Sequence, residues 1–277
     1  MATFRWEGLS IAYDHAGSGD PIVFLHNLGG NRTIWQAQFD SLAQTNSVYA
    51  LDWPGYGDSN VPVDGYTIEN HQRLLAAFID SHQLRGLTLV GNCFGSAMAL
   101  IYARRNPQDV RALVLVNPLT AATLRPTMSG WAARLLRKIP LASLGGVIRL
   151  PSSVAALVLR EQLGVRGRRM SAATFAPLRQ RWTRTGALRP VAAILPELPR
   201  LSELDSFEPD SDFPPITTIW GAQNRVLSAA AGARLNTTLS PQNALTLSES
   251  GHLAMMEDPE PIIRVIEAAA GSRQAAH

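Results

Sequence analysis

Short apolar runs alternate with segments of helical periodicity through most of the chain. Ile22-Val23-Phe24-Leu25, Val48-Tyr49-Ala50-Leu51, Leu87-Thr88-Leu89-Val90 and residues 111–116, 216–220 and 244–247 are too short and too continuous for amphipathic helices, so they predict buried strands. Residues 3–6 and 9–13, joined by a turn at Glu7-Gly8, predict an antiparallel pair at the start. Asn31 is placed to cap a helix carrying Ile34, Trp35, Phe39 and Leu42, and residues 67–84 form a long helix with Ile68, Leu74, Leu75, Phe78 and Ile79 on its inner face. Further helices are expected over residues 96–105, 228–239 and 259–270, with the last few residues disordered. This alternation predicts an α/β architecture: a mostly parallel eight-stranded sheet with helices on both faces. Reactive groups then belong at the carboxyl ends of the strands, where His26, Cys93 and Asn117 fall.

Asn117-Pro118 breaks the alternation, and the chain stays helical or irregular to about Asp205 before a proline-rich stretch, Glu208 to Pro215, returns it to the sheet. The expected organisation is a core of residues 1–119 and 206–277 with an inserted helical cap over 120–205. The cap holds Trp131, Leu135, Leu136, Ile139, Leu141, Leu144, Val147, Ile148, Val154, Leu157, Val158, Leu159, Phe175 and Trp182, which suggests an apolar pocket beneath it.

Composition excludes more than it selects. With 277 residues, 46% hydrophobic and 17% charged, the chain can bury a full core. No apolar run is long enough to span a bilayer, the start has no signal-like segment, and a single cysteine rules out an internal disulfide framework, so a cytoplasmic protein is expected. Charge is uneven: residues 120–205 carry fourteen Arg or Lys against four Asp or Glu, a surplus of +10, and the remainder carries eleven against eighteen, or −7. An arginine-rich solvated surface explains this; the sharper reading is a docking face for an acidic partner, an acyl carrier protein or CoA. No basic run interleaves with aromatics, so nucleic acid is not a partner. No cluster has metal-ligand spacing, and His71 and His82 are expected to face solvent, so neither metal nor cofactor is called for.

The chemistry gathers at Leu87 to Ala97. A strand runs into Gly91-Asn92-Cys93-Phe94-Gly95 and then a small-residue helix, so the cysteine sits on a sharp turn where bulk at either glycine would strike neighbouring backbone. This segment resembles the nucleophile elbow of the α/β-hydrolase superfamily, with Cys93 where serine is usual. Two other stretches support the resemblance: Asp52-Trp53-Pro54-Gly55-Tyr56-Gly57-Asp58-Ser59, a tight loop in which Asp52 is structural, and Gly251-His252 followed by Glu257-Asp258-Pro259. The resemblance implies His252 as the catalytic histidine and Asn224, in Gly221-Ala222-Gln223-Asn224, at the place of the triad acid. It also implies an oxyanion hole from the Leu28 and Phe94 N–H groups, with Asn27 replacing the glycine that follows His26 and taking up the left-handed turn.

Cys93, Asn224 and His252 form a consistent set. A thiol ionises more readily than a hydroxyl, and beside a histidine at a helix N-terminus it is expected to rest as a thiolate paired with imidazolium. Asn224 would hold the ring through its carbonyl oxygen without adding charge. Alternatively Asn224 is a bystander and Asp205, Asp210 or Asp212 reaches the ring. The expected activity is acyl transfer on an ester or thioester through a Cys93 acyl-enzyme, either as esterase or thioesterase or as acyltransferase or cyclase, on an apolar acyl substrate. The other readings are a ligand-binding protein on a disabled scaffold, and a lyase or cofactor-independent oxygenase using His252 alone. Dehalogenase and epoxide hydrolase chemistry would need aspartate where Cys93 stands.

Overall fold

The computed structural model describes residues 1–124 and 149–271. Eight strands form one sheet: β1 (Ala2–Trp6), β2 (Leu9–Ala16), β3 (Pro21–Leu25), β4 (Ser47–Leu51), β5 (Leu87–Asn92), β6 (Val110–Val116), β7 (Ile216–Gly221) and β8 (Asn243–Leu247). Their order is β1-β2-β4-β3-β5-β6-β7-β8, antiparallel at β1-β2 and β2-β4 and parallel from β4 onward. β5 and β7 are buried at every position, which is why their sequences lack the alternation of a half-exposed strand.

Helices cover both faces. On one side α2 (Ile68–Ser81), α3 (Phe94–Arg105) and α8 (Ala229–Leu239) bury Leu74, Phe78, Met98, Ile101 and Leu235 against the sheet. On the other, α1 (Gln36–Leu42) and α10 (Pro259–Gly271) enclose Leu42, Ile262 and Ile266 with Phe24, Val90 and Val114. Between β6 and β7 stand α4 (Ser152–Gln162), α5 (Val165–Arg169), α6 (Ala176–Trp182) and α7 (Arg189–Ile194); the remaining short helix, α9 (Ala254–Glu257), follows His252. Leu159, Phe175 and Leu178 of the inserted segment join the second core, so it is packed onto the sheet layer. Of the apolar cap residues named from sequence, Trp131 to Ile148 lie outside the described residues, as do those after Gly271.

Three local expectations change. Asn31 does cap, accepting Thr33 N–H at 2.9 Å, but the turn it starts is a 3₁₀ segment, Arg32–Trp35, before α1 begins. β2 runs on to Ala16 because it pairs with β4 as well as β1. His71 is not on a solvated face: it is 2% exposed, its Nδ1–H donates to Thr67 O at 2.7 Å, and its ring meets Trp53 and Phe94 edge-on. His82 is half-buried in a cluster with Phe4, Tyr13, Tyr49 and Phe78. A helical period shows which face a residue occupies but not that an imidazole will be enclosed by aromatics from two other elements. Among the described residues no helix is long and apolar enough to cross a membrane.

Burial pushes His71 and His26 down from 6.5 to about 4. Both are neutral in the fold but take up a proton near pH 6.5 once unfolded, so their contribution is fully present above that pH and is lost as pH falls toward 4. Each is expected to cost about 1.4 kcal/mol of stability per pH unit across this window. Urea unfolding between about pH 7 and pH 5 should show a falling midpoint, and His71→Gln a shallower fall.

Candidate active site

Cys93 stands between β5 and α3 with φ 54° and ψ −112°, a strained backbone for a residue with a side chain. The turn closes because its neighbours lack side chains: a Cβ on Gly91 would overlap Gly95 and Ser96 backbone, and one on Gly95 would overlap the Leu25 carbonyl. Ser96 Oγ–H holds the elbow from beneath, facing Gly91 O at 2.6 Å and Val116 O at 3.0 Å. The thiol is buried, which pushes it up to about 12, while the Phe94 and Leu28 backbone N–H groups directed at the sulfur pull the other way. These are the two amides that the resemblance names for the oxyanion.

The loop bearing Leu28 is braced by His26. Its Nδ1–H donates to Asn27 O at 2.8 Å, and its Nε2 accepts Trp53 N–H at 3.0 Å, joining the ends of β3 and β4. Asn27 is not left-handed; Gly29 takes that conformation with φ 81°, and the Trp182 indole of α6 lies directly on it. Asp52 is fully buried and accepts Arg32 N–H at 2.7 Å and Asp58 N–H at 2.8 Å, besides pairing with the Arg32 guanidinium. Arg181 of α6 reaches into the same loop, donating to Gly55 O at 3.2 Å and to Gly57 O.

His252 is buried with its backbone clamped. Asn92 Nδ2–H and Asn117 Nδ2–H both donate to His252 O, at 3.3 and 3.2 Å, and His252 N–H donates to Gln162 O at 2.7 Å. Glu257 accepts Gly251 N–H at 2.9 Å on one oxygen and Gly164 and Gly167 N–H, at 2.8 and 3.1 Å, on the other. The inserted segment is thus bonded directly to the histidine loop. Sequence singled out Glu257 only as part of a motif; that it takes two backbone donors from outside its own loop has no signal in the chain. Asn92 and Asn117 are likewise amides at strand ends whose duty is visible only once the loop lies over them.

Burial pushes His252 down to about 4, and among the described residues no carboxylate offsets it. Asp205 instead accepts Ala122 N–H at 3.1 Å, while Asp210 and Asp212 form an exposed local turn. Asn224 is close by: Gln223 N–H donates to Ser250 O at 3.0 Å, tying the two loops together. Its Oδ1, however, accepts Val226 and Leu227 N–H at 2.9 and 3.0 Å, so the carbonyl oxygen expected to hold the ring is already engaged. Asn224 Nδ2 and His252 Nδ1 are both buried without a partner. Burial raises the thiol and lowers the imidazole, both away from the charged forms of the expected thiolate-imidazolium pair. Among the described residues no group of three His, Cys, Asp or Glu side chains is arranged to hold a metal.

Residues 20–259 match the family described as alpha/beta hydrolase fold. The chain belongs to this family. A haloalkane dehalogenase of Agrobacterium fabrum is 41% identical over 112 residues, covering 40% of this chain and 37% of that protein's length. A 2-hydroxy-6-oxo-2,4-heptadienoate hydrolase of Pseudomonas putida is 26% identical over 269 residues, covering 94% of this chain and 92% of its own. Among solved structures, a thermophilic esterase of Thermogutta terrifontis superposes with TM-score 0.78 at 22% identity, covering 96% of this chain and 95% of that one; it shows the fold. Within this fold, Cys93 stands on the strained turn after β5 and Asn224 in the loop after β7.

Glu257→Ala is expected to leave three buried N–H groups unpaired and cost about 3 kcal/mol. Differential scanning calorimetry should show the lowered Tm, while Glu257→Gln, which keeps an acceptor oxygen, should lose less.

Proposed function

We propose that the protein is an acyl-transfer enzyme of the hydrolase kind, attacking an ester or thioester carbonyl through Cys93. The supporting observation is that Leu28 and Phe94 N–H groups converge on the sulfur of a strained, glycine-flanked turn. Two backbone donors aimed at one side chain stabilise the oxyanion that forms when that side chain attacks a carbonyl. The sulfur bonds to the acyl carbon, the oxyanion rests on the two amides, and collapse expels the leaving group to give a Cys93 thioester. His252 is assigned the proton transfer, its loop being held to the strand end just before Cys93 by the Asn92 amide. The apolar surroundings suit an apolar acyl chain, and the arginine surplus of the inserted segment suits a donor carried on CoA or an acyl carrier protein.

A second reading, a ligand-binding protein on this scaffold, draws on one observation: a thiol near 12 beside a histidine without a carboxylate is a weak nucleophile at rest. Intact-mass spectrometry after incubation with acyl thioesters and p-nitrophenyl esters separates the two. An acyl adduct on Cys93, lost in Cys93→Ala together with turnover, is the expected result. Binding without adduct or turnover in the unaltered protein would sink the acyl-enzyme.

A further inference from the structure

His71 carries a lone pair that the fold leaves unused. Its Nδ1 faces a carbonyl, Thr67 O at 2.7 Å, so the ring hydrogen sits on Nδ1 and Nε2 is an acceptor. Burial holds the ring down to about 4, which keeps Nε2 unprotonated near neutral pH. Among the described residues nothing donates to Nε2, although His71 is only 2% exposed. A nitrogen in so buried a side chain is ordinarily satisfied.

The ring lines a cavity of about 270 Å³, set where the β1–β2 turn, the loop after β4 and the first turn of α2 meet. With Nδ1 turned to Thr67, Nε2 is the polar atom His71 offers there. Neither Cys93, Leu28, Phe94 nor His252 lines this cavity, so it is separate from the candidate active site. Leu9, Pro54 and Pro62 give it apolar walls, and the carboxylates of Glu7 and Asp64 stand on its lining with no Lys or Arg among them. Arg73, outside the lining, pairs with Glu7, whereas Asp64 has neither an ion pair nor a hydrogen bond among the described residues. Asn70 spends both ends of its amide elsewhere, Nδ2 on Gly65 O at 3.0 Å and Oδ1 on Arg73 at 3.3 Å.

The lining thus calls for a hydrogen-bond donor, a positive charge and an apolar body. A metal ion does not meet this, since among the described residues no three His, Cys, Asp or Glu side chains are arranged to hold one. A protonated amine does: its N–H answers Nε2, its charge answers Asp64 and its carbon meets the walls.

We propose that this cavity is a second ligand site for a small primary amine, whose ammonium donates to His71 Nε2 and lies beside Asp64. The same imidazole packs edge-on against Phe94, ring centroids 5.0 Å apart, so an occupant touches the ring that backs the residue after Cys93. The site stands whether or not Cys93 forms an acyl-enzyme.

Benzylamine is the probe, with benzyl alcohol and benzoate as its neutral and anionic matches. Isothermal titration calorimetry on the full chain near neutral pH is expected to show saturable binding of benzylamine, roughly tenfold tighter than either match. Long-range proton–nitrogen correlation NMR should show the His71 Nε2 signal, assigned by its loss in His71→Gln, shifting as benzylamine is added. Asp64→Asn, at an exposed position without bonds to lose, is expected to weaken binding about threefold. His71→Phe keeps a ring against Trp53 and Phe94 but removes the acceptor, and is expected to weaken binding roughly tenfold. Benzyl alcohol or benzoate binding as tightly overturns the amine. An unmoved Nε2 signal, or an affinity unchanged in Asp64→Asn, overturns the placement even where His71→Phe fails to fold. Absence of saturable binding overturns the site.

Discussion

Gly95 passes so near the Leu25 carbonyl that no side chain fits between them, and the rest of the site follows from that approach. It brings the end of β3 against the start of α3, so the loop after β3 lies over the elbow and its Leu28 amide reaches the Cys93 sulfur beside that of Phe94. The same closeness forces Cys93 into a backbone conformation that only a tightly braced turn can hold, and Ser96 provides the brace from below. Asn117, at the end of the neighbouring β6, also has a positive φ, and the almost wholly buried strands β3, β5 and β6 hold both residues in place.

Burial then governs the electrostatics. A helix N-terminus argues for a thiolate, but the sulfur is withdrawn from water, and desolvation outweighs the two backbone N–H groups of Phe94 and Leu28 that favour the charged form. His26, His71 and His252 are lowered for the same reason. Burial thus favours the neutral form of each of these groups, and backbone hydrogen bonds hold the loops that carry them.

Most of the architecture was legible along the chain because strand and helix leave different periods. The eight strands, the helices between them and the break at Asn117-Pro118 all follow from where apolar residues fall, and Gly91, Cys93, Gly95 and His252 stand at positions where the backbone itself demands particular residues. The site's details were not legible, for a consistent reason. Asn224 could be placed in the loop after β7, but that its Oδ1 is taken by two N–H groups further along that loop could not be read from the chain. His71 looked solvent-facing because the period of α2 does not reveal Trp53 and Phe94 closing over it. The roles of Asn92, Asn117 and Glu257 depend on loops distant in sequence meeting over strand ends, and a single chain carries no signal for that.

The bonds from Gln162, Gly164 and Gly167 to the histidine loop make one edge of the inserted segment continuous with the core. Any displacement that broke them would leave Glu257 buried with its acceptors unmatched, so this edge behaves as a fixed anchor. α6 also meets the core, through Leu178 in the second core, Trp182 laid on Gly29 and Arg181 extended to two carbonyls of the Asp52 loop. The described part of the insertion is therefore tied to two different loops of the core, so a shift in either the Asp52 loop or the histidine loop is passed to it.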